Sequence, residues 1–208
     1  YLTRVYLPLL KQMEISIEAS LDRYGFVPAG GGLVRFEIPG NQKPIPIEIL
    51  ERGEEIERRI HCLNAHIPPE VAQRETRAVL KHLDWPENTI FIEAPENSDC
   101  PGNVLAAEVT FANVSERVTA FGAHGKGSNR VAQEVAKMMT NYLHSEAVVG
   151  RNLADQLLLP MALAGSGKIH TSTPSNHVKT NIEVIENFLP VRFEIEPGLR
   201  GCHLISVK

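Results

Sequence analysis

The chain has 208 residues, 43% of them apolar and 22% charged, which is enough to bury one good core or two small ones and excludes a disordered segment. Its formal charge of −4, with both signs mixed along the chain, argues against a protein that holds nucleic acid mainly through a broad basic face, while leaving room for a local basic groove. No apolar run approaches the ~20 residues that cross a bilayer, so no membrane partner is expected. No basic, apolar and small-residue succession opens the chain either, and a cytoplasmic protein is expected. Cys62, Cys100 and Cys202 are far apart, odd in number and without zinc-like spacing, so they read as free thiols in a reducing compartment.

The chain opens "YLTRVYLPLL", without an initiator methionine and already in a helical pattern, with Leu2, Val5, Tyr6, Leu9 and Leu10 on one face. That helix lacks a start signal, which suggests a cut or incomplete polypeptide. In "YGFVPAGGGLVRFEIP" the glycines at 30 to 32 allow a turn before an alternating strand, Leu33 to Ile38. Pro39, Gly40, Pro44 and Pro46 then mark a break, and the charge-dense "EILERGEEIERRIH" that follows reads as a domain boundary. Pro68 and Pro69 open a helix with Val71, Ala78, Val79 and Leu83 inward. "TIFIEA", "VLAAEVTF" and "RVTAFGA" read as strands of a compact βαβββ-like unit. The loop "GAHGKGSN" at 122 to 129 is not a P-loop, because Gly127 separates Lys126 from Ser128; as a lead into a capped helix it needs no ligand. That helix carries Val131, Val135, Met138 and Tyr142 on its core face.

"RNLADQLLLPMALAGSG" reads as a helix buried on most sides, yet it contains Asp155 and Gln156. An unpaired buried carboxylate costs several kcal/mol, so Asp155 must be paired, solvated from one side, or placed at the helix start. "SGKIHTST" reads as a short strand, and "SNHVKTNIEVIENFL" as a helix capped by Ser175 or Asn176, with His177 in its first turn. A helix start attracts phosphate and favours a neutral imidazole, which can attack phosphorus. Thr171, Ser172, Thr173, Ser175 and Asn176 could hold phosphate oxygens. The other histidines form no ligand pair.

Three stretches, "LADQLLLPMALAGSG" (153 to 167), "PSNHVKTNIEVIENFLPVRFEI" (174 to 195) and "YGFVPAGGG" (24 to 32), together resemble the C-terminal portion of the RNA 3'-terminal phosphate cyclases. The likeness implies an α/β (α+β) fold: a large domain of repeated βαβαββ units, here residues 1–45 and 146–208, with a smaller inserted α/β domain at 46–145. It implies an ATP-dependent enzyme that converts an RNA 3'-terminal phosphate to a 2',3'-cyclic phosphate through a covalent histidine–AMP. His177 matches the adenylated histidine, and Asn152, Leu153, Ala154, Asp155 and Gln156 match the ATP-contacting segment. ATP and Mg²⁺ or Mn²⁺ are the implied cofactors, and RNA with a 3'-phosphate end is the implied partner. No metal ligand is assigned.

Two departures from the resemblance matter. Asn152 stands where many relatives carry an aromatic residue, and stacking of a base on such a ring is worth about 1 to 3 kcal/mol. The family's N-terminal site residues are absent from this stretch, so the fragment alone is expected to be inactive. Two rivals are weighed against the cyclase. A non-catalytic relative that acts as a scaffold in ribosomal RNA processing would lack the histidine that His177 supplies. The enolpyruvyl transferases share the fold but not the pairing of LADQ with SNHVKTN.

Overall fold

The computed structural model describes all 208 residues. Leu2–Tyr6 forms one wide helical turn that runs into α1 (Leu7–Gln12), and Val5, Leu9 and Leu10 of this opening segment are buried. Strands β1 (Glu18–Arg23) and β2 (Leu33–Glu37) pair antiparallel as a separate ribbon, and the turn before β2 uses the left-handed backbone of Gly30 and Gly31. Next come β3 (Glu48–Ile49), β4 (Glu55–Ala65), α2 (Pro69–Leu83), β5 (Ile90–Glu93), β6 (Gly102–Phe111), β7 (Ser115–Phe121) and α3 (Ser128–His144). The chain ends with α4 (Arg151–Ala164), β8 (Gly167–Thr171), α5 (Asn176–Phe188), β9 (Phe193–Pro197) and β10 (His203–Val207).

These elements form two open four-stranded sheets, the mixed α/β architecture expected. In the first the order is β3-β8-β10-β9: β3 lies parallel to β8, and β10 pairs antiparallel with both β8 and β9. In chain order its members read β3, α4, β8, α5, β9, β10, which is one βαβαββ unit. The chain leaves that unit after β3 and re-enters it at α4. Ile47 and Ile49 pack into its core, beyond the cut expected at residue 45.

The departing segment builds the second sheet, β5-β4-β6-β7, with α2 and α3 packed on one face. The charged stretch after Pro46 thus runs into an eleven-residue strand, β4, rather than being a mere boundary. Its inward residues Ile60 and Cys62 are fully buried, while the intervening charges find partners: Glu57 meets Arg4, and the Arg59 guanidinium lies 3.6 Å from the centre of the Phe91 ring.

Each sheet has its own hydrophobic cluster. The first gathers α1, α4 and the inner face of β8 and β10, around Leu9, Leu153, Leu157, Ile169 and Ile205. The second gathers Ile60, Val79, Leu105, Val135 and Met139. Within the second, the face of α2 is rotated from expectation, burying Ala72, Glu75, Thr76 and Val79, whereas α3 buries Val131, Val135 and Tyr142 as expected and differs only in burying Met139 in place of the exposed Met138. An i, i+4 stripe read one position out still looks apolar; only packing against the sheet fixes it. All three cysteines are buried and unpaired, and no helix is long and apolar enough to cross a membrane.

Candidate functional site

The two motifs singled out in the sequence meet because of how β8 is tied to the chain before α4. The Val148 and Val149 amides both donate to the His170 carbonyl, at 3.1 and 2.9 Å, and Thr171 Oγ1 donates to the Val149 carbonyl at 2.9 Å. The entry to α4 and the exit from β8 toward α5 therefore share one end of the sheet. The two helices start side by side and run in the same sense. Asn181 Nδ2 then donates to Asp155 Oδ1 at 2.8 Å, clamping the second turn of α5 to the second turn of α4.

Asp155 is thus neither a cap nor a first-turn carboxylate. It is paired with Asn181 and half-buried, one of the alternatives that burial cost allowed. Gly150 occupies the N-cap of α4, without a side-chain cap bond. At α5 the expected cap is present: Ser175 is extended and its Oγ accepts from the Val178 amide at 3.2 Å.

His177 is the second residue of α5. Its side chain is exposed and makes no hydrogen bond within the protein. It sits one helical turn before Asn181, on the same face of α5 as the residue that holds Asp155.

The surrounding hydroxyl patch is smaller than the sequence suggested. Thr171 is buried and committed to Val149, Thr173 Oγ1 donates to the Gly201 carbonyl at 3.0 Å, and Ser175 serves as the cap. Ser172, Asn176 and the first amides of α5 remain for an anion. Within the LADQ segment, Leu153 and Ala154 are core residues, 0% and 1% exposed, so their side chains cannot meet a nucleotide. Asn152 is exposed. Gln156 is half-buried; its Oε1 is unpartnered, and its carbonyl accepts from the Tyr6 hydroxyl at 3.3 Å.

Beside the start of α4 lies a cavity of about 410 Å³, lined by Gly150, Arg151, Asn152 and Ser172 from the first unit and by Glu116, Val118 and Tyr142 from the second. Asn152 faces it; Asp155 and His177 are not in its lining. Tyr142 is its one aromatic, and that ring is covered by the Arg52 guanidinium, 4.2 Å from the ring centre. Arg52 in turn donates to the carbonyls of Tyr142, Ser145 and Ala147 at 2.7 to 2.9 Å, fastening the end of α3.

Glu116 went unnoticed in the sequence. It is 5% exposed, one oxygen has no partner, and burial pushes its carboxyl up to about 7, against the opposing pull of Arg52 and the Gly150 amide. Its parity with Ala120 along β7 was the available sign that it points inward.

Over residues 1–195 the chain matches the family model described as RNA 3'-terminal phosphate cyclase. It is 40% identical over 195 residues to the RNA 3'-terminal phosphate cyclase of Koribacter versatilis, covering 94% of this chain and 55% of that protein. It is 40% identical over 212 residues to the protein of that name from Pseudomonas fluorescens, covering 99% and 61%, and 38% identical over 207 residues to that of Salmonella typhimurium, covering 100% and 60%. The chain therefore spans between a little over half and about three-fifths of the length of these relatives. The family match runs through the whole second sheet, both helix starts and the first sheet as far as the opening of β9, and on that ground the chain belongs to the RNA 3'-terminal phosphate cyclase family.

Proposed function

We propose that His177 is the adenylated nucleophile of an ATP-dependent enzyme that closes an RNA 3'-terminal phosphate into a 2',3'-cyclic phosphate. The observation that carries this reading is the placement of an exposed, uncommitted imidazole in the first turn of a capped helix, clamped through Asn181 and Asp155 to a second helix start.

In the first step a ring nitrogen of His177 forms a bond to the α-phosphorus of ATP, the bond to the β-phosphate oxygen breaks, and pyrophosphate leaves. The amides at the start of α5 offset the charge that gathers on the α-phosphate oxygens. In the second step an oxygen of the RNA 3'-phosphate attacks the same phosphorus and the phosphorus–nitrogen bond breaks, which restores the imidazole. The vicinal 2'-oxygen then bonds to the 3'-phosphorus, losing its proton, and AMP departs. Splitting one difficult condensation into these displacements is the benefit of a covalent intermediate.

Asp155 acts through Asn181: it holds α5 in register with α4 and so fixes the direction from which the imidazole approaches. Asn152, at the cavity, is the member of the LADQ segment best placed to meet the nucleoside. A bound Mg²⁺ or Mn²⁺ would offset triphosphate charge. The chain brings no three His, Cys, Asp or Glu side chains together as a cage for such an ion, so no ligands are assigned to it.

The test is turnover. Full-length protein carrying His177→Ala should lose at least about a thousandfold in ATP-dependent cyclisation of an RNA 3'-phosphate, with an unchanged melting temperature, because the nucleophile itself is removed. Cyclisation at the unsubstituted rate in that variant would refute the assignment.

A further inference from the structure

The second unit contains another pair of helix starts, and nothing in the chemistry above uses it. Strands β4 and β7 both lie antiparallel to β6, so their carboxyl ends point the same way, and from those ends the chain turns into α2 and α3. Ligands of open α/β sheets sit at such carboxyl ends. Contrary to the expectation of a capped helix after the glycine-rich loop, neither start is capped by a side chain: Pro68 and Gly127 hold the two N-cap positions. The amides of Ser128 and Asn129 are left without an acceptor inside the helix.

Between the two starts lies a cavity of about 520 Å³ that shares no lining residue with the one beside Asn152. Its rim carries Arg74, His124 and Lys126. Lys126 is already tied to Glu134 at 2.6 Å, whereas Arg74 forms no ion pair. Its walls are Val27, Ile67 and Val71.

The lining includes two buried polar side chains, and one of them keeps an oxygen that the fold leaves unsatisfied. Asn103 is 5% exposed and its Oδ1 has no hydrogen-bond partner; Glu75 is 2% exposed, beside the Asn103 side chain and with Cys62 Sγ at 3.9 Å. Groups of this kind are costly to bury without partners, and their presence next to a cavity points to a ligand that supplies them. Desolvation raises the Glu75 carboxyl from its ordinary value. A positive mouth, apolar walls and hydrogen-bonding groups deeper in match the parts of a nucleotide.

We propose that this cavity is a second nucleotide site, with a phosphate held by the amides opening α3 and by Arg74, and the base lying between Val27 and Val71 with its polar edge toward Asn103 and Glu75. Two sources share that chemistry, a free mononucleotide and a nucleotide within an RNA strand. Choosing RNA rests on the cyclase reading above; the site itself does not.

The experiment is an amide-resolved NMR titration of the chain with AMP, with inorganic phosphate and with a short oligoribonucleotide. AMP and the oligonucleotide should shift Gly127, Ser128 and Asn129 at concentrations where phosphate alone does little. The oligonucleotide binding at least as tightly as AMP assigns RNA as the source; AMP binding more tightly assigns the free nucleotide. Gly127→Asp places a carboxylate on the same amides at a position with open space and an ordinary φ of −66°, so it should weaken AMP at least tenfold without lowering the melting temperature. Asn103→Leu should remove the preference for AMP over phosphate.

Unmoved amides with all three probes, undiminished binding in Gly127→Asp, or a retained preference in Asn103→Leu would each overturn the site. His177→Ala should leave these shifts unchanged. Failure of the cyclase chemistry and failure of this site are therefore separate results.

Discussion

Each half of the molecule sets two helix starts side by side at the end of a four-stranded sheet, yet the two pairs are finished differently. At α4 and α5 the pair is closed by protein groups: Ser175 caps one helix, Asn181 bonds to Asp155 across the gap, and one imidazole stands free. At α2 and α3 no side chain caps either helix, the loop is glycine-rich, and Asn103 lies buried with its Oδ1 unpartnered. The first arrangement fixes the line along which one atom approaches another. The second holds a charge without reacting with it. Amides at a helix start are common to both; under the two proposals, the remaining side chains decide between chemistry and binding.

The largest effect that sharpens this contrast comes from emptying one core. Leu157 is fully buried in the first cluster, and Leu157→Ala should cost about 2 to 5 kcal/mol. Hydrogen exchange should then show weakened protection in α4 and β8 while α2 and α3 keep theirs, because the second cluster shares no member with the first. Equal loss of protection in both would show that they unfold as one.

A somewhat smaller effect resides at the junction, in Glu116. Its folded carboxyl titrates at about 7, against an ordinary 4.5, so the folded state holds the proton more tightly. Its contribution to stability is therefore fully present below about 4.5 and is lost as the pH rises toward 7, an effect on the order of 3 kcal/mol. Denaturant melts across that range should show the decline, and Glu116→Gln should flatten it. A decline that persists in the glutamine variant would place its origin elsewhere.

The smallest effect is at a cap. Ser175→Ala should cost about 1 kcal/mol, read from the urea midpoint, and should lower adenylation by disturbing the turn that carries His177. The same midpoint for Gly127→Asp should stay level or rise.

How far the sequence could be read follows from where the information lay. Helix α5, its Ser175 cap and the first-turn position of His177 depend on neighbouring residues, and local spacing revealed them. The family resemblance was equally legible, since it rests on long ordered stretches. Strand β4 was hidden because three consecutive charges, Glu57, Arg58 and Arg59, break its alternation, and two of them are satisfied from afar, by Arg4 and Phe91. The partner of Asp155 lies 26 residues away, and the groups around Glu116 come from both sheets. Contacts of that range have no periodicity to detect. The missing cap on α3 was misread for a simpler reason: Ser128 looks like a cap residue, but the helix takes it as its first member and leaves Gly127 at the boundary.

The most direct measurement on the central claim is the adduct itself. Full-length protein is incubated with ATP labelled at the α-phosphate, digested, and the label located by mass spectrometry. Acid-labile AMP should appear on the peptide containing His177 and vanish in His177→Ala. Label absent from the unsubstituted protein, or still bound after that substitution, would contradict the account.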